Sequence, residues 1–143
     1  MDETKLESSD AWLLLAVIYA STDEPANLAQ IIAAGDYINQ AIFTLRELKG
    51  GLARLSRQGY IKDHDGLKIS VTDKILTPYH DFSKKKRRVS YELDFVRKTI
   101  GANVYQFGTN HSEENASSEY DGIDGESVKQ AYVAYIEALK ETK

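Results

Sequence analysis

The sequence predicts a mainly α-helical protein that contains one small β hairpin. A capped amphipathic helix is predicted for residues 44–58, and two short strands follow it directly within residues 60–71. Apolar residues then repeat every 3.5 positions from Ile75 to Ile100, which is the spacing of a long helix that packs against another helix. At 143 residues, the chain is long enough for one domain with an extension.

The composition argues against most kinds of chemistry. The chain has no cysteine, which excludes a disulfide framework and a thiolate metal site. Its three histidines, His64, His80 and His111, stand at no ligand spacing, so we predict no metal site. The Gly50-Gly51 pair lies inside a predicted helix and lacks the strand and the spacing of a phosphate-binding loop. We therefore expect no catalytic residue, no cofactor and no enzymatic activity.

The N-terminal part of the chain favours a cytoplasmic location. Residues 1–9 are acidic, whereas a secretory signal begins with a basic region. The apolar run from Trp12 to Ile18 is too short to cross a bilayer, which takes about 20 residues. We interpret this run as a buried helix and expect no membrane partner.

The net charge of −4 conceals an uneven distribution of charge along the chain. Residues 1–43 hold one lysine and seven acids, and residues 99–143 hold three lysines and eight acids. The segment between them, residues 44–98, holds fourteen lysines and arginines against seven acids. A basic centre is typical of a phosphate-binding surface. The alternative is that charges of opposite sign attract one another and help the chain to fold.

Two helices are predicted before the basic segment. The first spans Asp10–Ala20, with Ser9 or Asp10 as its cap, and is apolar on most faces, as a central core helix would be. The second covers about Ala26–Ala34, with Pro25 in its first turn. Gly35 marks its end or only a weakening of it, because the helical spacing of apolar residues continues beyond.

The third helix has the clearest local signals. Thr44 and Glu47 form a capping box, in which each side chain satisfies the other's backbone N–H. Leu45, Leu48, Leu52 and Leu55 form one apolar stripe along it, and Gly59 supplies the left-handed residue that ends it. Asp65-Gly66 is then a strong turn for the hairpin.

The face opposite the leucine stripe is the candidate DNA-contacting surface. It carries Arg46, Gly50, Ala53, Arg54 and Arg57, with Lys49 beside it. Arginine has the planar fork that reads guanine in the major groove, and residues near the start of a groove-bound helix meet the bases. We therefore expect Arg46 to read a base, Thr44 or Lys49 to hold phosphates, and Arg54 and Arg57 to contact the backbone. The alternative is an ordinary solvated helix face.

A second basic region is the run Ser83–Arg88, which is suited to clamping a phosphate backbone or to pairing with the acidic termini. Asp63 and Asp65 at the hairpin tip oppose DNA, because phosphate would repel them. The complete set of predicted DNA-binding residues is Thr44, Arg46, Lys49, Gly50, Arg54, Arg57, Lys62, Lys68, Lys84, Lys85, Arg87 and Arg88.

The C-terminal half is predicted to contain a long helix, a linker and a final helix. The long helix starts at Thr77-Pro78, ends at Gly101 and favours a homodimer through residues 75–100; the alternative is that it packs on its own domain. Residues 109–125 are polar and acidic and read as a linker. A helix over about residues 126–141 presents Val128, Tyr132, Tyr135 and Leu139 on one face.

Three helices followed by a hairpin form the pattern of a winged helix-turn-helix. Residues 51–62 (GLARLSRQGYIK) and 66–74 (GLKISVTDK) resemble the helix, wing and following turn of MarR- and PadR-type bacterial regulators. The long helix after the hairpin is similar to the dimerisation helix of PadR-like proteins. The resemblance implies a dimeric transcriptional regulator that binds double-stranded DNA with residues 44–58 in the groove. The alternative is a winged-helix module that binds a protein and not DNA.

This interpretation divides the chain into four parts. Residues 1–76 form the winged helix-turn-helix domain and residues 77–108 the long helix. Residues 109–125 form the linker and residues 126–143 the C-terminal helix.

Overall fold

A computed structural model describes residues 6–64, 67–85, 88–102 and 123–141. These residues are mainly helical and include one two-stranded antiparallel hairpin, which confirms the predicted class. The elements in chain order are α1 (Ser8–Ala20), α2 (Leu28–Asn39), α3 (Leu45–Arg57), β1 (Ile61–His64), β2 (Lys68–Val71), α4 (Asp73–Ser83), α5 (Val89–Ile100) and α6 (Gly125–Glu141).

Helix α1 is the centre of the fold and is buried from Ser8 to Ile18. It packs against α2, α3, α5 and β2. The helix begins earlier than predicted, because its cap is Glu7 and not Ser9 or Asp10. The carboxylate of Asp10 instead reaches back to accept a hydrogen bond from the Glu7 backbone N–H at 2.9 Å. Asp10 is thus the N3 residue of a capping box with Glu7, and its side chain is fixed at the buried start of the helix.

Helix α2 starts two residues later than predicted and ends five residues later, at Asn39. Its cap is Asn27, whose side-chain oxygen accepts a hydrogen bond from the Gln30 N–H at 2.8 Å, and the left-handed Gln40 follows its end. Ala26, which was expected in the helix, forms a bridge with Ile69 in β2. Each of these two residues donates its N–H to the other's carbonyl at 2.8 Å. The bridge ties the hairpin to the segment before α2.

Gly35 lies within α2 because an aromatic ring takes the place of a side chain there. The ring of Phe43 packs on this position, and a Cβ added at Gly35 would lie 2.3 Å from the Phe43 Cε2 atom. The Phe43 ring also packs against that of Trp12, with centroids 3.9 Å apart. The Trp12 indole N–H in turn donates to the Gly35 carbonyl at 2.9 Å. This contact holds α1, α2 and the turn before α3 together.

Helix α3 follows its sequence signals closely. The hydroxyl of Thr44 accepts a hydrogen bond from the Glu47 N–H at 3.1 Å, and the Glu47 carboxylate accepts one from the Thr44 N–H at 2.9 Å. Of the leucine stripe, Leu48, Leu52 and Leu55 are fully buried, whereas Leu45 is 37% exposed. Gly59 has a φ of 82°, as expected for the residue that ends the helix. The capping box and the glycine stop are therefore confirmed.

The hairpin pairs Ile61 with Val71 and His64 with Lys68. Each strand begins one residue later than predicted, since Tyr60 and Leu67 lie outside the ladder. The predicted turn at residues 65–66 lies outside the described residues. Leu67, directly after it, has a φ of 57°.

The predicted long helix is wrong: two helices stand in its place. Helix α4 follows Thr72, so Pro78 lies in the interior of α4 and not in the first turn of a helix. Helix α4 ends at Ser83 and α5 begins at Val89, and Gly101 caps the end of α5 as expected. Stacked rings of Phe82 and Phe95, with centroids 4.2 Å apart, join the two helices.

Because the 3.5-residue repeat is divided between α4 and α5, it does not form one continuous apolar stripe on a single helix. Ile75, Tyr79, Val96 and Ile100 are buried in the core of their own chain. Four of the seven apolar residues of the repeat are thus buried within the domain, and Val89 and Leu93 are partly buried against the same core, as expected if the repeat packs on its own domain.

Helix α6 docks on α2 of the same chain. The hydroxyl of Tyr135 donates to the Asp36 carboxylate at 2.6 Å, and this bond raises the pKa of Tyr135 to about 12. Val128 and Ala131 pack against the core on the same side. Tyr132 and Leu139, which were expected on the same face, are exposed. Most of the predicted linker lies outside the described residues.

We expect Gly35→Ala to destabilise the protein by about 1–3 kcal/mol, although alanine is the better helix former, because the new Cβ overpacks a buried aromatic contact. Urea denaturation measures the change. Gly125→Ala is the matched control, since a Cβ at this helical position meets no atom within 4 Å and should be neutral or slightly stabilising. Equal effects of the two substitutions would contradict the packing described here.

Candidate nucleic-acid interface

The position of α3 is set by its close approach to α1. A Cβ added at Gly51 would lie 2.6 Å from Leu13 Cδ2 and 3.0 Å from Asp10 Oδ1, so a larger residue there would push the helices apart. Leu48, Leu52 and Leu55 fill the remaining contact with the core. Gly51 thus allows close packing of α3 against α1. This packing fixes which residues of α3 remain on the surface.

Arg54 lies on the buried side of α3. Its Nε donates to Asp10 Oδ2 and its Nη2 donates to Asp10 Oδ1, both at 2.8 Å. The side chains of Arg54 and Asp10 are only 3% and 0% exposed. A two-pronged arginine–carboxylate pair satisfies both charges, which would be very costly to bury alone. The predicted placement of Arg54 on the exposed, DNA-facing surface is therefore wrong.

The small residues beside Arg54 are also buried. A Cβ at Gly50 would lie 3.3 Å from the Arg54 Nη1 atom, so the glycine leaves room for the guanidinium. Ala53 is buried as well. The sequence interpretation places Gly50 and Ala53 on the DNA-contacting surface. Instead Gly50 makes space inside the protein, and its predicted contact with DNA has no exposed surface to support it.

The two exposed arginines of α3 lie at its two ends. Arg46 is exposed in the first turn, next to the exposed capping residue Thr44, and Arg57 is exposed in the last turn. Lys49 is half-buried between them. The Thr44 hydroxyl accepts the capping hydrogen bond and keeps its own hydrogen for donation. The start of α3 therefore combines an exposed arginine with a helix N-terminus, where partial positive charge favours anions.

The hairpin presents a second basic surface. Side chains alternate between the faces of a strand, and the register places Lys62, His64, Lys68 and Ser70 together on one face. The opposite face carries the buried Ile61, Ile69 and Val71. Asp63, which is exposed near the tip, also belongs to this face. His64 Nε2 and Ser70 Oγ lie 2.9 Å apart on the outward face. The acidic tip is therefore not uniform, since Asp63 belongs to the other side from the two lysines.

The second basic region, Ser83–Arg88, lies where α4 is joined to α5. Lys84, Lys85 and Arg88 are exposed at the connection between α4 and α5, and residues 86–87, which include the predicted Arg87, lie outside the described residues. Lys84 lies 3.7 Å from Asp81 in an exposed pair of little energetic weight. In the part of the chain that the structure describes, α3 packs on α1 and β1, whereas α4 packs on α5. None of these main contacts joins α3 to α4 or α5.

Lys74 is a basic residue whose role the sequence did not indicate. Its ammonium lies 4.5 Å from the centre of the Tyr60 ring and donates to the Gln58 carbonyl at 2.6 Å. It thereby holds the C-terminal end of α3 to the start of α4. Lys74 lies sixteen residues after Gln58, so no local sequence pattern indicates this contact.

Other kinds of site are not evident in the described residues. They contain no group of three or more histidine, aspartate or glutamate side chains that could hold a metal ion. None of the helices in the described ranges is both long and apolar enough to span a membrane. Comparisons with protein-family models, with curated proteins and with solved structures give no match.

We expect Asp10→Asn to cost about 3–5 kcal/mol of folding free energy, because it leaves the Arg54 guanidinium buried without its counter-charge. Urea denaturation measures this loss. Replacing both partners, as Asp10→Leu with Arg54→Met, should recover much of it, since no charge is then buried.

Asp94→Asn is the control for loss of a less buried carboxylate that also pairs with basic residues, and it should cost about 1 kcal/mol or less. A loss at Asp10 no larger than this would show that the buried pair does not hold α1 and α3 together.

Proposed function

We propose that this protein is a DNA-binding regulator of the winged-helix type, with α3 entering the major groove. The arrangement of α1, α2, α3 and a hairpin tied to Ala26 supports this assignment, because it holds the hairpin close to the end of α3. The observation that carries the proposal is the exposure of Arg46 in the capped first turn of α3. This is the position from which a groove-bound helix contacts bases.

The described side chains divide into two roles on DNA. Arg46 has the chemistry to read guanine O6 and N7 through its two-pronged fork. Lys62 and Lys68, which share the outward face of the hairpin, are suited to the phosphate backbone beside the groove. Thr44 and Lys49 are proposed to hold phosphates near the helix start, and Arg57 near its end.

The net charge of −4 is only a weak obstacle to DNA binding by this surface. Charges further away than about 8–10 Å are largely screened at physiological salt, so the local charge of the contacting face decides binding. All the residues proposed to touch DNA come from the basic segment 44–98. Contacts of Lys84, Lys85 and Arg88 with DNA remain predictions, as these residues lie at a separate turn.

We expect Arg46→Ala to reduce discrimination between a selected duplex and random-sequence DNA by about 1–3 kcal/mol, because one base contact is lost. The double substitution Lys62→Ala, Lys68→Ala should weaken binding to all duplexes alike and lower the slope of log affinity against log salt by about two, because phosphate contacts release counterions. Duplexes are first selected from a random pool with the wild-type protein. Gel-shift titrations at two salt concentrations then measure both quantities.

The control is Lys129→Ala with Lys140→Ala, which removes two exposed lysines from α6. This variant has the same change in charge and should bind DNA almost as the wild type does. No retardation of any duplex by the folded wild-type protein at low salt would exclude the proposal. An equal loss from the α6 lysines would show that the effect is one of net charge alone.

A second function is favoured by exposed apolar residues around the turn between α2 and α3. Leu45 is 37% exposed directly beside Arg46, and Tyr37 and Ile42 are also exposed. Apolar side chains next to arginine are typical of protein interfaces. If the gel-shift experiment is negative, this surface becomes the proposed contact of a winged-helix module that binds a protein partner.

A homodimer is the assembly that we propose for the DNA-binding form. Since four of the seven apolar residues of the repeat are buried within the chain, the surface left in residues 75–100 is centred on the stacked Phe82 and Phe95 rings and on Tyr91, which is 59% exposed. These three residues line one open surface cavity of about 410 Å³.

We expect the wild-type protein to dimerise at tens of micromolar, which is of the order at which weak interfaces associate, and Tyr91→Asp to be monomeric, because a charge would enter the interface. Sedimentation equilibrium distinguishes these states. Tyr37→Asp, at another exposed tyrosine, is the control and should leave the dimer intact. A wild-type monomer at this concentration would remove the homodimer from the proposal.

A further inference from the structure

A second concave site lies at the opposite end of α1 from the Asp10–Arg54 pair. A cavity of about 380 Å³ opens between the end of α1, β2 and α4. Its volume falls in the range of small-molecule sites, which is about 300–1,000 Å³. Ile18, Val71 and Leu76 supply apolar walls. No residue of α3 lines it, so it is distinct from the proposed DNA-contacting surface.

Two tyrosines in the wall of this cavity share one carboxylate. The hydroxyls of Tyr19 and Tyr79 both donate to Glu92 Oε1, the second at 3.0 Å. Burial and the neighbouring Glu92 raise the pKa of each tyrosine well above its usual value, so both phenols stay neutral. A phenol that has donated its single hydrogen can only accept a further hydrogen bond. The cavity is therefore lined by two tyrosines whose hydroxyls can only accept and are both bonded to the Glu92 carboxylate, which is not itself a lining residue.

The aliphatic hydroxyls in the wall are committed in the same way. The Ser21 hydroxyl donates to the Val17 carbonyl at 2.6 Å, and the Thr22 hydroxyl donates to the Tyr19 carbonyl at 3.1 Å. Both residues line the cavity beside the C-terminal end of α1. A helix C-terminus carries partial negative charge, and the last turn of α1 contains no basic residue to offset it. Four residues that carry hydroxyl groups thus line the cavity, and the hydrogens of all four hydroxyls are already donated elsewhere.

These features together select the charge of a ligand. An anion would find few donors in the wall: the described lining offers it mainly the exposed His80. An ammonium group, by contrast, donates hydrogen bonds, is attracted to the face of an aromatic ring and gains from a nearby carboxylate. The apolar walls suit an uncharged body attached to that group.

We propose that this cavity binds a small organic cation that has an apolar body and an ammonium group. The ammonium group lies against Tyr19 and Tyr79, with Glu92 as its counter-charge, and the body lies against Ile18, Val71 and Leu76. The proposal does not depend on DNA binding, because the cavity and the start of α3 share no residue.

Calorimetric titration of the wild-type protein with three probes of similar size tests the selectivity. 2-Phenylethylammonium carries the positive charge, 2-phenylethanol is its neutral isostere and phenylacetate is an anion of the same shape. We expect the cation to bind at least about tenfold more tightly than the alcohol, and the anion not to bind at millimolar concentration. Equal affinity for cation and alcohol, or no binding of the cation at 10 mM, would overturn the proposal.

A matched pair of substitutions on α5 locates the site. Glu92→Gln keeps a side-chain oxygen that accepts from the tyrosines but removes the charge, so affinity for the cation should fall about tenfold while affinity for the alcohol stays the same. Asp94→Asn removes one negative charge two residues away, where Arg97 and Lys98 pair with it, and should change affinity by about twofold or less. Unchanged binding of the cation to Glu92→Gln would refute the role of Glu92. If this variant does not fold, as judged by circular dichroism, the selectivity of the wild-type protein decides the question.

Discussion

The buried ion pair between Asp10 and Arg54 determines how the helices of this protein face one another. Asp10 is held at the start of α1 by the capping box, and Arg54 reaches it from α3 with two hydrogen bonds of 2.8 Å. Because an unpaired buried charge would be very costly, the pair favours the rotation of α3 that brings Arg54 to Asp10. Gly50 and Gly51 make that rotation sterically feasible, the first beside the guanidinium and the second against α1.

The rotation of α3 decides which charges are available for function. It removes Arg54 from the surface and leaves Arg46 and Arg57 exposed at the two ends of the helix. The same packing places the hairpin beside the end of α3, where the Ala26–Ile69 bridge fixes it and two lysines share its outward face. A surface that looked like one basic stripe in sequence is therefore a small set of separate positive positions. The proposed DNA contact depends on those positions and not on the total charge.

Helix α1 also connects the two sites that we propose. Its first turn supplies Asp10 to α3, and its last turn supplies Tyr19 to the cavity. The helix is buried over most of its length, so its ends are the places where polar groups have to be satisfied. At the first end the Arg54 guanidinium pairs with the Asp10 carboxylate. At the second end the Ser21 and Thr22 hydroxyls cap the last carbonyls, so their oxygens can only accept, and the ligand that we propose there is a cation.

Local sequence is enough to predict the features that depend on residues within one or two helical turns. The Thr44–Glu47 capping box, the buried leucines of α3, the stop at Gly59 and the short hairpin all follow from local spacing. The other features depend on contacts between residues that are distant in the chain. The 75–100 repeat divides into two helices because Ile75 and Val96 are buried in the same core. Arg54 is buried with the carboxylate of Asp10, which lies 44 residues earlier in the chain, and Tyr19 bonds to Glu92, which lies 73 residues later. Local spacing shows that a helix has a basic face, but only its distant neighbours determine which of those charges face solvent.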